Sequence, residues 1–205
     1  MAAQTISPAV QAEIQRVGRL VARRDDAWAI PRVSAEFLHV LVLAGGFRRG
    51  IELGTSYGYS GLWIGAAFAC NGGTLLTIDR EPAKAASARE TFARAGLADV
   101  IATVLAPVDE ALAEADGPFD FAFIDADKEG ALRYFELLWP KLAHRATIVT
   151  DNITSHARQL ADFVAHLRAH PQLSSALVPI GSGLEVSVKV ESQPTVSLDG
   201  ADWVI

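Results

Sequence analysis

The 205-residue sequence contains a single cysteine, Cys70, so an intramolecular disulfide and a Cys-rich zinc site are both excluded. No oxidising compartment is needed. A long basic run is also missing. Asp and Glu number 24 against 18 Lys and Arg, and the formal charge of -6 argues against a nucleic-acid backbone or an anionic membrane as partner. The longest apolar run in the middle of the chain, Leu62 to Cys70, is about half of the roughly 20 residues that a membrane-crossing helix requires, and reads as a buried helix with Cys70 in the core. The N-terminus has neither the positive segment nor the apolar stretch of a secretory signal, so a cytoplasmic protein is expected. Internal repeats and low-complexity segments are absent. What is present is a half-apolar composition at a length suited to one continuous core, which leaves a small-molecule enzyme or a protein-binding module.

Ser7-Pro8 starts a first amphipathic helix through Val10, Ile14, Val17 and Val21. A second begins near Ser34 and stops at Gly45-Gly46, with a loop at Trp28 to Pro31 between them. From Arg49 onward, short apolar runs at 50–53, 74–78, 100–105, 119–124 and 147–150 alternate with helical stretches at 60–70, 82–95, 108–114, 131–139 and 156–170. That alternation predicts consecutive βαβ units and a parallel, doubly wound α/β sheet. Two further strands, 174–179 and 185–190, are joined by a link too short for a crossover helix, so a seven-stranded sheet with an antiparallel last strand is expected. The organisation is then one domain over 1–205. It comprises N-terminal helices (1–46), the α/β core (47–190) and a tail (191–205) whose Trp203-Val204-Ile205 end suggests docking onto this chain or a second copy.

Ligands of open α/β sheets bind beyond the carboxyl ends of the strands, and here four of the five parallel strands end in a carboxylate: Glu52, Asp79, Asp125 and Asp151. The turn after the first strand, Glu52 to Gly61, spaces its glycines 4 and 3 apart, so neither the dinucleotide fingerprint nor the lysine-bearing phosphate loop is present. An acid before such a turn repels pyrophosphate and suits an ammonium or sulfonium. Glycine lets that ligand approach the backbone. Asp79 is placed to accept both hydroxyls of a ribose, so a cationic nucleoside is implied. The alternative is a plain tight turn with Asp79 capping the helix at Pro82. The segments 121–128 and 148–152 form a second constellation, in which two carboxylates and an amide oxygen among Asp125, Asp127, Asp151 and Asn152 are hard oxygen ligands suited to magnesium or a similar ion, with Lys128 near enough to act as a base. Capping by Asp127 and Asp151 is the competing explanation.

In the segments 51–61, 77–79, 119–128 and 149–152 the sequence resembles the class I S-adenosylmethionine-dependent methyltransferases, more narrowly the divalent-metal-dependent catechol and caffeoyl-coenzyme A O-methyltransferases and their small bacterial relatives. The resemblance spans roughly Ile30 to Val190 and implies a Rossmann-like core. It assigns Glu52, Gly54 and Ser60 to the methionine part of the cofactor, Asp79 to its ribose and Val108 to its adenine. Asp125, also counted among the cofactor contacts, joins Asp151 and Asn152 as the three metal ligands, magnesium being the expected ion, and Lys128 becomes the general base. It further implies a small, catechol-like or phenolic acceptor and a homodimer, with no nucleic-acid or membrane partner. Two features depart from the family: the Asp-Ala-Asp-Lys run matches the caffeoyl-coenzyme A and bacterial branch rather than the catechol enzyme, and Ile153 to His156 leads almost directly into a helix, so part of the usual substrate wall is expected to be missing. The competing readings are a metal-independent methyltransferase, a non-catalytic cofactor-binding domain, and a NAD-dependent dehydrogenase whose glycine spacing is wrong. His166 and His170 lack a third metal partner at motif spacing. The four tryptophans read as core or interface, and Arg23, Arg24 and Arg32 as a solvated face.

Overall fold

A computed structural model describes residues 6–190; the Trp203-Val204-Ile205 tail lies outside them. The strands are β1 (Arg49–Leu53), β2 (Thr74–Asp79), β3 (Ile101–Leu105), β4 (Phe119–Ile124), β5 (Leu142–Thr150), β6 (Leu173–Val178) and β7 (Leu184–Lys189). They form one sheet in the order β3-β2-β1-β4-β5-β7-β6. β1 to β5 run parallel, and β7 is inserted between β5 and β6, antiparallel to both. The strand order reverses between β1 and β4, which opens a crevice at their carboxyl ends.

The helices are α1 (Pro8–Val21), α2 (Arg32–Gly45), α3 (Tyr59–Asn71), α4 (Pro82–Arg94), α5 (Val108–Glu114), α6 (Ala131–Leu138) and α7 (Ala161–Ala169). Ser7 caps α1 by accepting the Val10 N–H at 3.2 Å, and Gly46 and Gly72 close α2 and α3 in the left-handed conformation that glycine adopts without penalty. Alternation along the strands sorts the core into two layers. Phe121 and Phe123 of β4 and Leu75 of β2 pack with Phe68, Leu62 and Phe92 of α3 and α4 on one face. Ile51, Leu53, Ala122 and Ile124 pack with Leu112, Tyr134 and Leu138 of α5 and α6 on the other. Each fully buried phenylalanine contributes on the order of 2–3 kcal/mol by leaving water.

Several boundaries differ from the sequence expectation for identifiable reasons. α7 starts at Ala161 rather than His156, because the Ile153, Thr154 and Ser155 amides donate to carbonyls of Gly183 and Ser182 in the β6–β7 link instead of propagating a helix. α2 starts at Arg32, directly after Pro31, with Ser34 buried inside it. Cys70 is exposed, not core: the last turn of α3 runs past the packed region before Gly72 ends it. Of the described tryptophans, Trp63 is buried and Trp28 stands 86% exposed. Arg24 and Arg32 pair with Asp26 and Glu36. His166 and His170 belong to an aromatic cluster with Phe135 and Trp139. No helix among the described residues is long and apolar enough to cross a membrane.

Candidate active site

Beyond the carboxyl ends of β1, β2, β4 and β5 lies a cavity of about 710 Å³. Its wall carries Gly54 and Ser60 from the first strand-to-helix turn, Asp79 from the end of β2, Val108 from the start of α5, and Asp125, Lys128, Asp151 and Asn152 from the ends of β4 and β5. All the residues expected to hold cofactor, metal and acceptor therefore share one cavity, except Glu52.

Glu52 stands one residue behind the wall. It lies on the α3 face of β1, fully buried, and its two oxygens accept from Ser60 Oγ (2.6 Å) and Thr77 Oγ1 (2.5 Å), so it is linked to the cavity through Ser60 and, by way of Thr77, through Thr55. Burial pushes its carboxyl up to about 7, against the downward pull of those two hydroxyls. The turn above it is bent by Gly54 at φ 106: a Cβ there would lie 2.3 Å from the Asp125 carbonyl oxygen, so only glycine fits. The Gly54 and Thr55 amides both donate to the Ile78 carbonyl, which ties this turn to β2.

Asp79 ends β2 with both oxygens engaged. Oδ2 accepts the Ser56 N–H at 2.7 Å and Oδ1 the Glu81 N–H at 2.8 Å. Each carboxylate oxygen has a second acceptor site, so these two bonds hold the group still and leave capacity for a diol in the cavity. α4 has Glu81 at its N-cap and no side-chain cap, so Asp79 does not cap it.

At the other half of the edge Asp125 pairs with Lys128 Nζ at 2.9 Å, and the same ammonium donates to the Ala126 carbonyl. Burial pushes the Asp125 carboxyl up to about 6; Lys128 opposes that and the neighbouring Asp151 adds to it. Asp151 is buried, and its Oδ1 accepts from Ser182 Oγ at 2.6 Å. Asn152 adopts a left-handed φ of 66, a conformation asparagine tolerates better than most residues. Asp127 accepts from the Gly130 amide and from Tyr134 Oη–H, while α6 has Gly130 at its N-cap and no side-chain cap. Among the described residues no group of three His, Cys, Asp or Glu is arranged to hold a metal. The donor set is two carboxylates and an amide, hard oxygens that suit a small divalent cation, and the mutual repulsion of Asp125 and Asp151 is the kind a cation relieves. The residues fit the ion the resemblance implies.

Other wall residues had no motif to signal them. His156 and Gln159 line the cavity from the turn at 153–160, the segment where part of the usual substrate wall was expected to be missing. Asp26, Trp28 and Ile30 come from the loop between α1 and α2. Tyr57, inside the glycine turn, donates to Asp26; its position in the motif was the only available clue.

A methyltransferase-domain family model matches residues 51–153, the stretch from β1 to the turn after β5. A catechol O-methyltransferase of Mycobacterium tuberculosis is 39% identical over 145 residues, 67% of this chain and 64% of that protein. Another from Niastella koreensis is 34% identical over 131 residues, 61% of this chain and 58% of that one. The chain thus spans less than two thirds of the length of these two relatives. Among solved structures, cofactor-bound Rv0187 from MTB superposes with a TM-score of 0.79 at 26% identity, covering 89% of this chain and 90% of its own. The chain belongs to the class I S-adenosylmethionine-dependent O-methyltransferase family.

Proposed function

We propose that this protein transfers the methyl group of S-adenosylmethionine to a hydroxyl of a small, catechol-like or phenolic acceptor, with a divalent cation, magnesium first, held by Asp125, Asp151 and Asn152. The observation that carries the proposal is the shared cavity: Lys128 and the Asp125–Asp151–Asn152 donor set open onto the same space as Gly54, Ser60 and Asp79. A cofactor on Gly54, Ser60 and Asp79 would therefore share the cavity with an acceptor beside Lys128.

When bound, the cofactor supplies an electrophilic methyl on a sulfonium, and the cation supplies Lewis acidity that favours an ionised acceptor oxygen. The chain supplies the rest. Asp79, immobilised by the Ser56 and Glu81 amides, receives a ribose diol, and Gly54 lets the ligand lie against the backbone. Lys128 Nζ, as the neutral amine, takes the acceptor's hydroxyl proton and becomes the ammonium. Val108, at the first turn of α5, stands where the resemblance places adenine. The catechol O-methyltransferases among the relatives support the acceptor class.

The direct Lys128–Asp125 pair favours one second reading, a metal-independent transferase in which Asp125 and Asp151 orient the acceptor themselves. Methyl transfer to a vicinal-diol phenol separates the two: loss of turnover on chelation, restored by Mg2+, supports the metal, and unchanged turnover removes it. An Asp125→Ala variant with full activity contradicts the ligand assignment. Self-association belongs to the same proposal. Val33 and Val40, 47% and 61% exposed on α2, support it, and sedimentation velocity tests it.

A further inference from the structure

The loop between α1 and α2 is joined to the glycine turn by one carboxylate. Asp26 accepts from Tyr57 Oη–H at 2.8 Å and, bidentately, from Arg24 Nε and Nη2 at 2.7 and 3.0 Å. The Arg24 guanidinium in turn lies 4.8 Å from the centroid of the Tyr57 ring. Arg24 and then Tyr57 hold the Asp26 carboxyl well below the usual carboxylate range, so the phenol meets a charged acceptor throughout the neutral range. The contact sits at the cavity surface: the Tyr57 ring is buried, while the Arg24 and Asp26 side chains are 43% and 50% exposed.

On its other side Tyr57 is continuous with the cofactor cradle. Ser56 at φ 46 and Gly58 at φ 84 bracket it, and the Ser56 amide donates to Asp79. A connected path therefore runs from Arg24 through Asp26, Tyr57 and Ser56 to the acid proposed to hold the ribose. At the loop's other end Ile30 is buried in the core, and the stretch between carries Trp28 and Ala29 to the cavity wall. Among the described residues, Tyr57–Asp26 is the side-chain hydrogen bond that ties this loop to the rest of the chain.

We propose that the Tyr57–Asp26 hydrogen bond is a latch that holds the 22–31 loop across the cavity. Tyr57 and Asp26 are then positioning residues that fix the acceptor-side wall and slow escape of the cofactor. The proposal rests on the O-methyltransferase reading for its catalytic consequences only. Neither side chain touches the reacting atoms; each acts through where it puts the loop.

Tyr57→Phe removes the hydroxyl and nothing else, Asp26→Ala removes the acceptor, and the double variant removes both. Breaking a hydrogen bond to a charged group is expected to raise acceptor KM and the release rate of S-adenosylhomocysteine ~10-fold, with kcat changed by less than about threefold. Trypsin cutting after the exposed Arg23 and Arg24 should accelerate by a similar factor, and the double variant should be no worse than Asp26→Ala alone. Tyr57→Phe with wild-type KM, release rate and cutting rate overturns the latch. So do additive effects in the double variant, or a fall in kcat and KM together with a lowered melting temperature. Cutting of the ligand-free proteins depends on no cofactor, so it decides the latch even if the wild type neither binds S-adenosylhomocysteine nor transfers methyl, a result that would instead remove the O-methyltransferase reading.

Discussion

At the ends of β1 and β2 the protein has partnered its own carboxylates: Glu52 holds two hydroxyls and Asp79 two backbone amides. At the ends of β4 and β5 two acids crowd one another, with Lys128 on Asp125 and Ser182 on Asp151. The first half is built as the proposed cofactor cradle, with its acids already partnered, and the second holds two neighbouring acids whose repulsion a cation would relieve. One sheet edge thus combines preorganisation for binding with electrostatic tension for chemistry.

Experiments that strike the two halves separately test that contrast. The largest effect is expected from Lys128→Met, which should lower kcat by ~10²–10⁴-fold while leaving S-adenosylhomocysteine affinity within about twofold, as measured by steady-state kinetics and calorimetry. A parallel loss of cofactor affinity would merge the halves. Gly54→Ala attacks the point where they touch, since its Cβ would enter the Asp125 carbonyl. Denaturant unfolding should show a loss of at least ~3 kcal/mol, and both binding and turnover should suffer.

Glu52 gives a pH signature. Its carboxyl ionises about 7 when folded against an ordinary 4.5, so between those values the folded state binds more protons than the unfolded state. Stability of the ligand-free protein should therefore fall as pH rises from about 4.5 to 7, by up to ~3 kcal/mol, and Glu52→Gln should flatten that part of the profile. Asp79→Ala should weaken S-adenosylhomocysteine roughly 100-fold, from two lost hydrogen bonds to a charged group, with kcat at saturation affected less. The smallest effect is expected from Asp127→Asn, which keeps an acceptor for Tyr134 and should cost about 1 kcal/mol or less, with wild-type metal dependence.

Much of this was legible in the sequence because the signals are local. Strand alternation, Gly45-Gly46 as a stop, and acids at strand ends each depend on residues a few positions apart. What was missed depends on register or on distant partners. That Glu52 is covered by Ser60 and Thr77 follows from pairing β1 with β2, where Glu52 lies opposite Thr77. The late start of α7 depends on amides of 153–155 finding carbonyls 27 or more residues away, and the Asp26–Tyr57 contact joins positions 31 apart. Cys70 reads as core by composition alone, yet lies in the final turn of α3, where packing has ended.

The contrast between a partnered cradle and an acceptor half with neighbouring acids is tested most directly by titrating S-adenosylhomocysteine into the wild-type protein in chelator and again with Mg2+. The expected result is binding in both, with affinities within about threefold, because no group of the β1–β2 half waits for the ion. Failure to bind, or binding only when Mg2+ is present, would contradict it.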